Sequence, residues 1–391
     1  MRILSSLVAL TLALTTHAQF VQTSGTEFTL NGEKFTVVGA NSYWVGLNGL
    51  STEDMDKAFS DIAATGATTV RTWGFHEVTS PDGIYYQSWS GSTPTINTGS
   101  TGLENFGKSP YAFVLFSTMF LYSAPDNVVS LANQNGLKLI VALTNNWADY
   151  GGMDVYVNQI LGSSGFHDDF YTNEEVKAAF KNYVQTFVTR YLDEPTILAW
   201  ELVNEPRCTG STGSNSGSCT TETITNWVSE ISAFIKSIDT NHLVGLGDEG
   251  FFNDPGNALY PYQGGEGVDF DANLAISSID FGTFHLYPEP WGQSDDPTGF
   301  GNKWIADHAT SMQAQNKPVI LEEFGTEGDK ETIYTSWYST IESSGLTGDL
   351  IWQAGSSLSN GLTPDDGYTI YTTDPVYQLE TSHAAALKAR A

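Results

Sequence analysis

The chain has 391 residues, 40% of them hydrophobic, with 45 acidic side chains against 16 basic ones and a formal net charge of −29. This apolar fraction is enough for a large core and excludes a disordered chain. The excess of negative charge would repel nucleic acids and anionic membranes, so we expect neither as a partner, and it suits a neutral substrate.

The chain begins with a segment that is typical of a secretory signal peptide. A basic residue near the start is followed by an apolar stretch from Ile3 to Leu14 and by small residues up to Ala18. We therefore predict a signal peptide over residues 1–18, a catalytic domain over residues 19–391, and a secreted, extracellular protein. No later segment has the ~18 uncharged apolar residues that a transmembrane helix needs.

Eight apolar, β-branched runs of strand length recur along the rest of the chain, and segments of helical period lie between them. The predicted strands cover residues 35–43, 67–73, 137–145, 196–204, 242–248, 280–287, 318–324 and 349–355. The predicted helices cover residues 52–65, 173–192, 221–238 and 302–315. Thr52 and Asn173 are the predicted N-caps of the first two helices.

Near-continuous apolar strands that alternate with helices indicate a parallel sheet covered by helices. Eight such units predict an α/β fold, a single-domain (β/α)8 TIM barrel. A doubly wound open sheet is the alternative, although no Gly-x-Gly-x-x-Gly follows the first strand.

Polar and aromatic side chains collect at the ends of the predicted strands, where the active site of such a barrel lies. They are Arg71, Trp73, Asn145, Asn146, Trp147, Asn204, Glu205, His285, Tyr287, Trp291, Glu322, Glu323, Trp352 and Gln353. We expect the tryptophans among them to line a cleft, because indoles stack on the apolar faces of sugar rings and large aromatics dominate pocket linings. His285 is expected to have a hydrogen-bonding role in the site.

Two glutamates on facing strands are the minimum for hydrolysis of a glycosidic bond, one as proton donor and the other as nucleophile or base. Glu205 ends the fourth strand, and Glu322 and Glu323 end the seventh. Their long side chains can close the gap to the ~5–5.5 Å of a retaining enzyme. Alternation along a strand puts Glu322 and Glu323 on opposite faces, so only one can point into the mouth, and the residues alone do not choose between them.

Other chemistries fit the sequence poorly. No His-Glu-x-x-His or comparable spacing is present, nor a Walker or Gly-x-Ser-x-Gly motif, so we expect no metal and no cofactor. The two cysteines, Cys208 and Cys219, bracket a stretch of Gly, Ser, Thr and Asn directly after the strand-four glutamate. In a secreted chain such a pair predicts a disulfide that pins this loop.

Four stretches, WELVNEP, FHLYPEPW, LEEFG and LIWQ, resemble glycoside hydrolase family 5 of the retaining (β/α)8 glycosidases. GANSYW, VRTWGF, NNWADYGG, NEPRC and LGDEGFF make the chain most similar to the fungal secreted endo-β-1,4-mannanases of that family. The resemblance covers essentially everything after the signal peptide. It implies that Glu205 is the acid/base and that Glu323 is the nucleophile, because the family's Glu-aromatic-Gly pattern falls on Glu323. Glu322 would then be an ion-pair or hydrogen-bond partner.

The resemblance also implies how substrate is held. Arg71 would keep Glu323 ionised, and Tyr287 would donate a hydrogen bond to the same carboxylate. Asn204 would bind the 2-hydroxyl of the reacting sugar. The further substrate-binding residues are expected to be Trp352 as the platform under that sugar, Arg207 on the leaving-group side, and Trp73, Asn146, Trp147, His285 and Trp291.

The sequence therefore predicts a monomeric, retaining endo-β-1,4-mannanase that acts on mannan, galactomannan and glucomannan. Asn146 and Trp147 stand where many family members carry a histidine after the third strand, which favours a mannanase over a cellulase. A β-1,4-glucanase and an exo-β-mannosidase of the same fold stay open as alternatives. So do a carbohydrate-binding protein on a hydrolase scaffold and a metal-dependent hydrolase.

Overall fold

The computed structural model describes residues 20–107, 127–211 and 215–390, so the predicted signal peptide lies outside the described residues. Eight parallel strands form the central sheet, one for each predicted strand. They are β1 (Val38–Asn41), β2 (Thr69–Trp73), β3 (Lys138–Ala142), β4 (Ile197–Glu201), β5 (Leu243–Gly245), β6 (Gly282–Leu286), β7 (Val319–Phe324) and β8 (Gly348–Ile351).

The sheet follows the order of the chain and returns on itself, because β8 pairs with β1. Between β5 and β6 no continuous ladder forms, but hydrogen bonds close the gap: the Asp280 amide donates to the Val244 carbonyl over 2.9 Å, and the Gly247 amide donates to the Thr283 hydroxyl over 3.0 Å. The predicted barrel is confirmed, and the doubly wound alternative is excluded.

One principal helix follows each strand. These helices are α1 (Thr52–Ala63), α2 (Val128–Gln134), α3 (Glu174–Arg190), α4 (Thr221–Ile238), α5 (Phe270–Ala275), α6 (Pro297–Gln315), α7 (Lys330–Ser344) and α8 (Pro375–Ala389). The predicted cap at Asn173 is confirmed, since its side chain accepts from the amides of Glu175 and Val176. The predicted cap at Thr52 is wrong: Ser51 accepts from the Asp54 amide over 3.1 Å, and Thr52 is the first helical residue.

Shorter elements cover both ends of the barrel. At the amino-terminal end lies an antiparallel sheet of Gln22–Ser24, Glu27–Leu30 and Glu33–Phe35. Its Phe28 is buried and packs edge-on against Phe281, with ring centroids 5.5 Å apart, in a cluster with apolar side chains of the barrel interior. This sheet closes the bottom of the barrel, so the cleft opens only at the other end.

Additional elements extend the loops around that open end. Strands Glu77–Val78, Gln87–Ser90 and Thr93–Ile96 and helix Leu103–Phe106 follow β2, helices Met153–Leu161 and Asp169–Thr172 follow β3, and strands Ser357–Leu358 and Gly361–Leu362 follow β8. Short 3-10 turns lie at Tyr43–Gly46, Gly162–Ser164 and Tyr260–Tyr262. Within the described part of the chain, none of the helices combines the length and the hydropathy that crossing a bilayer requires.

Candidate active site

A cavity of about 690 Å³ opens at the carboxyl ends of the barrel strands. Nine of the predicted site residues line it: Trp73, Trp147, Asn204, Glu205, Arg207, Tyr287, Trp291, Glu323 and Trp352. A concave pocket with aromatic walls and a few convergent polar groups is the form that small-molecule and sugar sites take.

Glu205 follows β4 and projects into this cavity with 14% of its side chain exposed. Its backbone is left-handed, with φ 51°, a conformation that costs a non-glycine residue about 1 kcal/mol. Oε2 accepts from the Trp147 indole over 2.5 Å, and Oε1 lies 2.7 Å from Nδ1 of His285. Burial raises the pKa of Glu205, and the nearby positive charge of Arg207 works against this shift.

Glu323 lies on β7 with only 4% of its side chain exposed. The Arg71 guanidinium donates from Nη1 to Oε1, and the Tyr287 hydroxyl donates to Oε2 over 2.9 Å. Burial raises the pKa of Glu323 above its usual range, while the charge of Arg71 and the hydrogen bond from Tyr287 work against this shift. The expected contacts with Arg71 and Tyr287 are therefore present, and they counteract burial by favouring the carboxylate.

Carboxylate oxygens of Glu205 and Glu323 lie within 4.8 Å of each other, with a ring nitrogen of His285 within the same distance of both. These are atoms of the kind that also bind metal ions. Here they already form hydrogen bonds with Arg71, Trp147 and one another, so their proximity is explained without an ion, and we assign no metal to the group.

One arginine and three glutamates form a group at the floor of the cavity, which we call the floor cluster. Its members are Arg71, Glu201, Glu322 and Glu323. Arg71 is completely buried and donates to Glu201 from Nε over 2.8 Å and from Nη2 over 2.5 Å. Burial works against its charge, but the three carboxyl groups outweigh burial and raise the pKa of Arg71 further.

Glu322 occupies a position that strand alternation did not predict. Phe284 pairs with Leu321 and His285 pairs with Glu323, so Glu322 has no partner across the β6–β7 ladder and forms a bulge. The expectation that Glu322 and Glu323 lie on opposite faces is therefore wrong locally. As expected, only Glu323 lines the cavity, and Glu322 is an ion-pair partner, with Oε2 3.5 Å from Nε of Arg71.

A second arginine lies at the rim of the cavity, in a group of Arg207, Glu249, Tyr260 and Glu266 that we call the rim cluster. Arg207 donates twice to Glu249, each time over 2.6 Å, and once to the Tyr260 hydroxyl over 3.1 Å. Burial and the neighbouring Glu205 raise the pKa of Glu249 to about 7, although Arg207 opposes the shift. The predicted disulfide between Cys208 and Cys219 is present beside this cluster.

The wall on the other side of the cavity is aromatic. Trp352 stacks on Tyr43, with ring centroids 5.4 Å apart and planes 8° apart, and Trp73 lies 6.0 Å from Trp352. Oδ2 of Asp366 accepts from the Trp352 indole and from the Gln353 amide, both over 2.8 Å. These two hydrogen bonds fix the orientation of the indole.

Comparisons with known proteins agree with this geometry. The family model described as "GH family 5 beta-mannosidase-like" matches residues 115–347. The chain belongs to glycoside hydrolase family 5. It is 40% identical over 381 residues to a probable mannan endo-1,4-beta-mannosidase A of Aspergillus flavus, which covers 96% of this chain and 90% of the relative.

Two further relatives of this family 5 hydrolase are informative. The mannan endo-1,4-beta-mannosidase A of Aspergillus aculeatus is 42% identical over 377 residues, covering 95% of this chain and 91% of that protein. The crystal structure of an endo-1,4-beta-mannanase from Rhizomucor miehei is similar with a TM-score of 0.84 at 40% identity, covering 95% of this chain and all of that one.

Three of the predicted site residues of this family 5 enzyme do not line the cavity. Arg71 and His285 lie directly behind Glu323 and Glu205 and contact them. Asn146 does not contact the cavity at all, contrary to expectation. It is fully buried, where its side-chain oxygen accepts from the Arg207 amide over 3.0 Å and its nitrogen donates to the Thr209 carbonyl over 3.1 Å. Asn146 thus holds the loop that carries Arg207.

Sequence reasoning missed several residues that line the cavity: Tyr43, Asp149, Tyr150, Glu249, Tyr260, Pro290, Asp366 and Tyr368. Tyr43 and Glu249 fall in GANSYW and LGDEGFF, just after β1 and β5, so their strand-end positions were a usable signal. Asp366 lies in a loop after β8 with no such signal, and only the fold brings it to Trp352.

Proposed function

We propose that this enzyme is a secreted, monomeric, retaining endo-β-1,4-mannanase that hydrolyses internal β-1,4-mannosidic linkages of mannan, galactomannan and glucomannan. The main support for this proposal is the distance between two carboxyl groups: oxygens of Glu205 and Glu323 lie within 4.8 Å of each other. This is near the ~5–5.5 Å that double displacement needs and short of the ~6.5–9.5 Å of an inverting enzyme. The names of the fungal relatives support the substrate, and the pattern of residues 1–18 supports secretion.

In the first step Glu323 attacks the anomeric carbon and Glu205 protonates the departing glycosidic oxygen. The hydrogen bonds support this division of roles. Glu323 accepts from a cation and a phenol, Arg71 and Tyr287, which favours the ionised nucleophile. Burial raises the pKa of both glutamates, but Glu205 accepts from an uncharged indole and receives no hydrogen bond from an arginine, which favours its protonated form.

In the second step Glu205 acts as base. Formation of the glycosyl ester removes the negative charge of Glu323, so the pKa of Glu205 falls and it can take a proton from water. The water then attacks the anomeric carbon from the face that the leaving group has left. The product keeps its configuration, and Glu323 is released as a carboxylate.

The other lining residues would bind the sugar chain. Asn204 accepts from Arg71 Nη2 over 2.8 Å and donates to Asn145 over 3.0 Å, which orients its amide for the 2-hydroxyl. Trp352 is held by Asp366 and would serve as the platform under the reacting sugar, and Arg207, which also lines the cavity, would bind on the leaving-group side.

The test is hydrolysis of mannohexaose, cellohexaose and polymeric mannan. We expect mid-chain cleavage of mannohexaose, a rapid fall in mannan viscosity, and first-formed β-anomers by proton NMR. Release of only mannose or mannobiose from chain ends would show an exo-enzyme, faster cleavage of cellohexaose a glucanase, and α-anomers an inverting mechanism. Full activity in EDTA is expected, and its loss would support the metal-dependent alternative.

The roles of the two glutamates are tested by Glu323→Gln and Glu205→Gln. Each is expected to lower kcat by about 10⁴-fold or more while leaving oligosaccharide binding intact. Glu331→Gln, an exposed residue in the first turn of α7, is the matched control and should behave like wild type. An unchanged rate in Glu323→Gln would refute the assigned nucleophile.

A further inference from the structure

Glu322 is a buried carboxyl for which the mechanism above has no use. Its side chain is completely buried, and neither of its oxygens accepts a hydrogen bond from the described residues. The Glu201 carboxylate lies within hydrogen-bonding reach of Glu322, but it already accepts two hydrogen bonds from Arg71, whereas Nε2 of His285 has none. The nearest nitrogens to Oε2 are Arg71 Nε at 3.5 Å, which already donates to Glu201 over 2.8 Å, and His285 Nε2 at 3.7 Å. A buried carboxylate without a close hydrogen-bond donor is strongly disfavoured as an ion, because no water replaces the lost solvation.

His285 Nε2 is the second unpartnered atom at this place. It is fully buried and has no hydrogen bond among the described residues, whereas Nδ1 lies 2.7 Å from Glu205 Oε1. Two unsatisfied polar atoms thus face each other over 3.7 Å, and a single proton between them would satisfy both. A hydrogen bond of about 2.8 Å is reached when the carboxyl moves by roughly 1 Å through its side-chain torsions.

The charges around Glu322 decide which atom holds this proton. Arg71 already neutralises one negative charge in the floor cluster, where Glu201 accepts two of its hydrogen bonds and Glu323 a third. An ionised Glu322 would add another uncompensated charge at zero exposure. Burial and the neighbouring Glu201 raise the pKa of Glu322 well above its usual range, and burial lowers the pKa of His285, so both shifts favour the uncharged forms that the 3.7 Å approach of the two atoms requires.

We propose that Glu322 is a neutral carboxylic acid that donates to Nε2 of His285 and thereby fixes the imidazole tautomer whose Nδ1–H donates to Glu205. Glu322 is then a positioning residue for the acid/base, and this role rests on the proposed function of Glu205. With Nδ1–H as donor, the Glu205 carboxylate is stabilised. In the other tautomer the Nδ1 lone pair would face Oε1, which disfavours the carboxylate and raises the pKa of Glu205.

This arrangement predicts a change in the pH profile of kcat/KM. The other titratable groups nearby must therefore be the same in the variants that are compared. The titratable and charged groups that face Glu322, His285 or Glu205 are Arg71, Glu201, Arg207, Glu249, Tyr287 and Glu323. All of them stay unchanged in the variants below, so a difference between the variants reports position 322 alone.

The kinetic test compares Glu322→Gln with Glu322→Met. Glutamine is neutral and can still donate from its amide, whereas methionine has similar length and cannot donate. We expect Glu322→Gln to keep kcat/KM within about 3-fold and the basic limb of its pH profile within about 0.3 units of wild type. Glu322→Met should move that limb to higher pH by about one unit and lower kcat/KM by about 10-fold at pH 7. Equal impairment of both variants would overturn the proposal, because it would mean that a charged carboxylate is needed.

A spectroscopic test reads the tautomer directly. In histidine-¹⁵N-labelled protein, the His285 ring signals, assigned by their loss in His285→Gln, should report Nδ1–H in wild type and in Glu322→Gln. Glu322→Met should shift them toward Nε2–H. An Nε2–H ring or a charged ring in the wild-type protein overturns the proposal even if Glu322→Met does not fold. If no form of the enzyme cleaves mannan, the proposed function fails, while this readout still decides the role of Glu322.

Discussion

Two arginines serve the same cavity from different depths, and each is bonded to glutamates. In the floor cluster Arg71 is fully buried and contacts three carboxyls, one of which faces the cavity. In the rim cluster Arg207 is 14% exposed and binds Glu249 in a two-point contact, with Glu266 at 3.6 Å.

The difference in depth separates two tasks. The floor arginine has no access to water, so its charge acts at full strength on the ionisation of Glu323. The rim arginine reaches solvent and lies over the rings of Trp147 and Phe251, at 5.2 Å from each centroid, so it shapes the cavity wall. Arginine therefore controls the ionisation of Glu323 in the floor cluster and supports the cavity wall in the rim cluster.

Replacing each arginine by methionine is the strongest test of whether the two arginines have different roles. Arg71→Met leaves buried carboxylates without a cation and should lower the free energy of unfolding by about 3–5 kcal/mol and abolish activity. Arg207→Met should cost about 1–2 kcal/mol, because water reaches Arg207 itself and because the buried Glu249, whose pKa is raised to about 7, can take up a proton when its cation is lost. Urea unfolding at pH 7 measures both, and equal losses would contradict the assignment of different roles.

A pH series tests the second buried acid behind the rim. Burial raises the pKa of Asp248, next to Glu249, to about 8. The folded state therefore keeps a proton that the unfolded chain releases near pH 4, so stability should fall as pH rises from about 4 to about 8, with a slope of about 1.4 kcal/mol per pH unit from this group. Asp248→Asn, which cannot ionise, should flatten the slope. A melting temperature that rises over this range would contradict the shift.

Removal of the disulfide should lower the stability of the protein without changing the pH dependence of its activity. Cys208 and Cys219 are 11 positions apart, so the double replacement by serine should cost about 2–3 kcal/mol of unfolding free energy. Since the bridge touches none of the floor cluster, the pH dependence of kcat/KM should not change. Thermal unfolding and a pH–rate profile of the same preparation give both readings, and a displaced profile would mean that the rim also sets the ionisation of Glu205.

The smallest effect is expected on the aromatic wall. In Asp366→Asn an NH₂ group must replace one of two oxygens that both accept hydrogen bonds: Oδ2 from Trp352 and Gln353, and Oδ1 from the Tyr368 amide and the Thr369 hydroxyl. Trp352 is therefore held less firmly. KM for mannohexaose should rise by about 3- to 5-fold, or ~1 kcal/mol, with kcat nearly unchanged. Asp365→Asn, its exposed neighbour, is the control. A fall in kcat alone would place Asp366 in the chemistry instead.

The barrel could be predicted because each of its strands is marked by a pattern within a few consecutive residues. Each strand needs an apolar run that is buried on both sides, and all eight runs became strands. The predicted bounds were too long, however: residues 196–204 became Ile197–Glu201, because the pairing is irregular after Glu201 and resumes only as an isolated bridge between Asn204 and Asn145. The cap at Ser51 was missed because Ser51 and Thr52 are both good caps, and only backbone geometry decides between them.

The site was harder to predict where it depends on distant contacts. Strand ends pointed to Glu205 and Glu323, and these meet as expected. Strict alternation placed Glu322 wrongly, since a bulge leaves no mark in the sequence. Asn146 is a polar residue that follows a strand, as expected of a cleft residue. Its side chain instead points away from the cavity and forms hydrogen bonds with the backbone of the loop at Arg207 and Thr209.

The left-handed backbone at Glu205 has a consequence for engineering. Glycine adopts that conformation without steric cost, so Glu205→Gly should melt at a higher temperature than Glu205→Ala. A screen that ranked substitutions at position 205 by heat resistance alone would therefore prefer glycine to alanine, although neither residue can replace the carboxyl group.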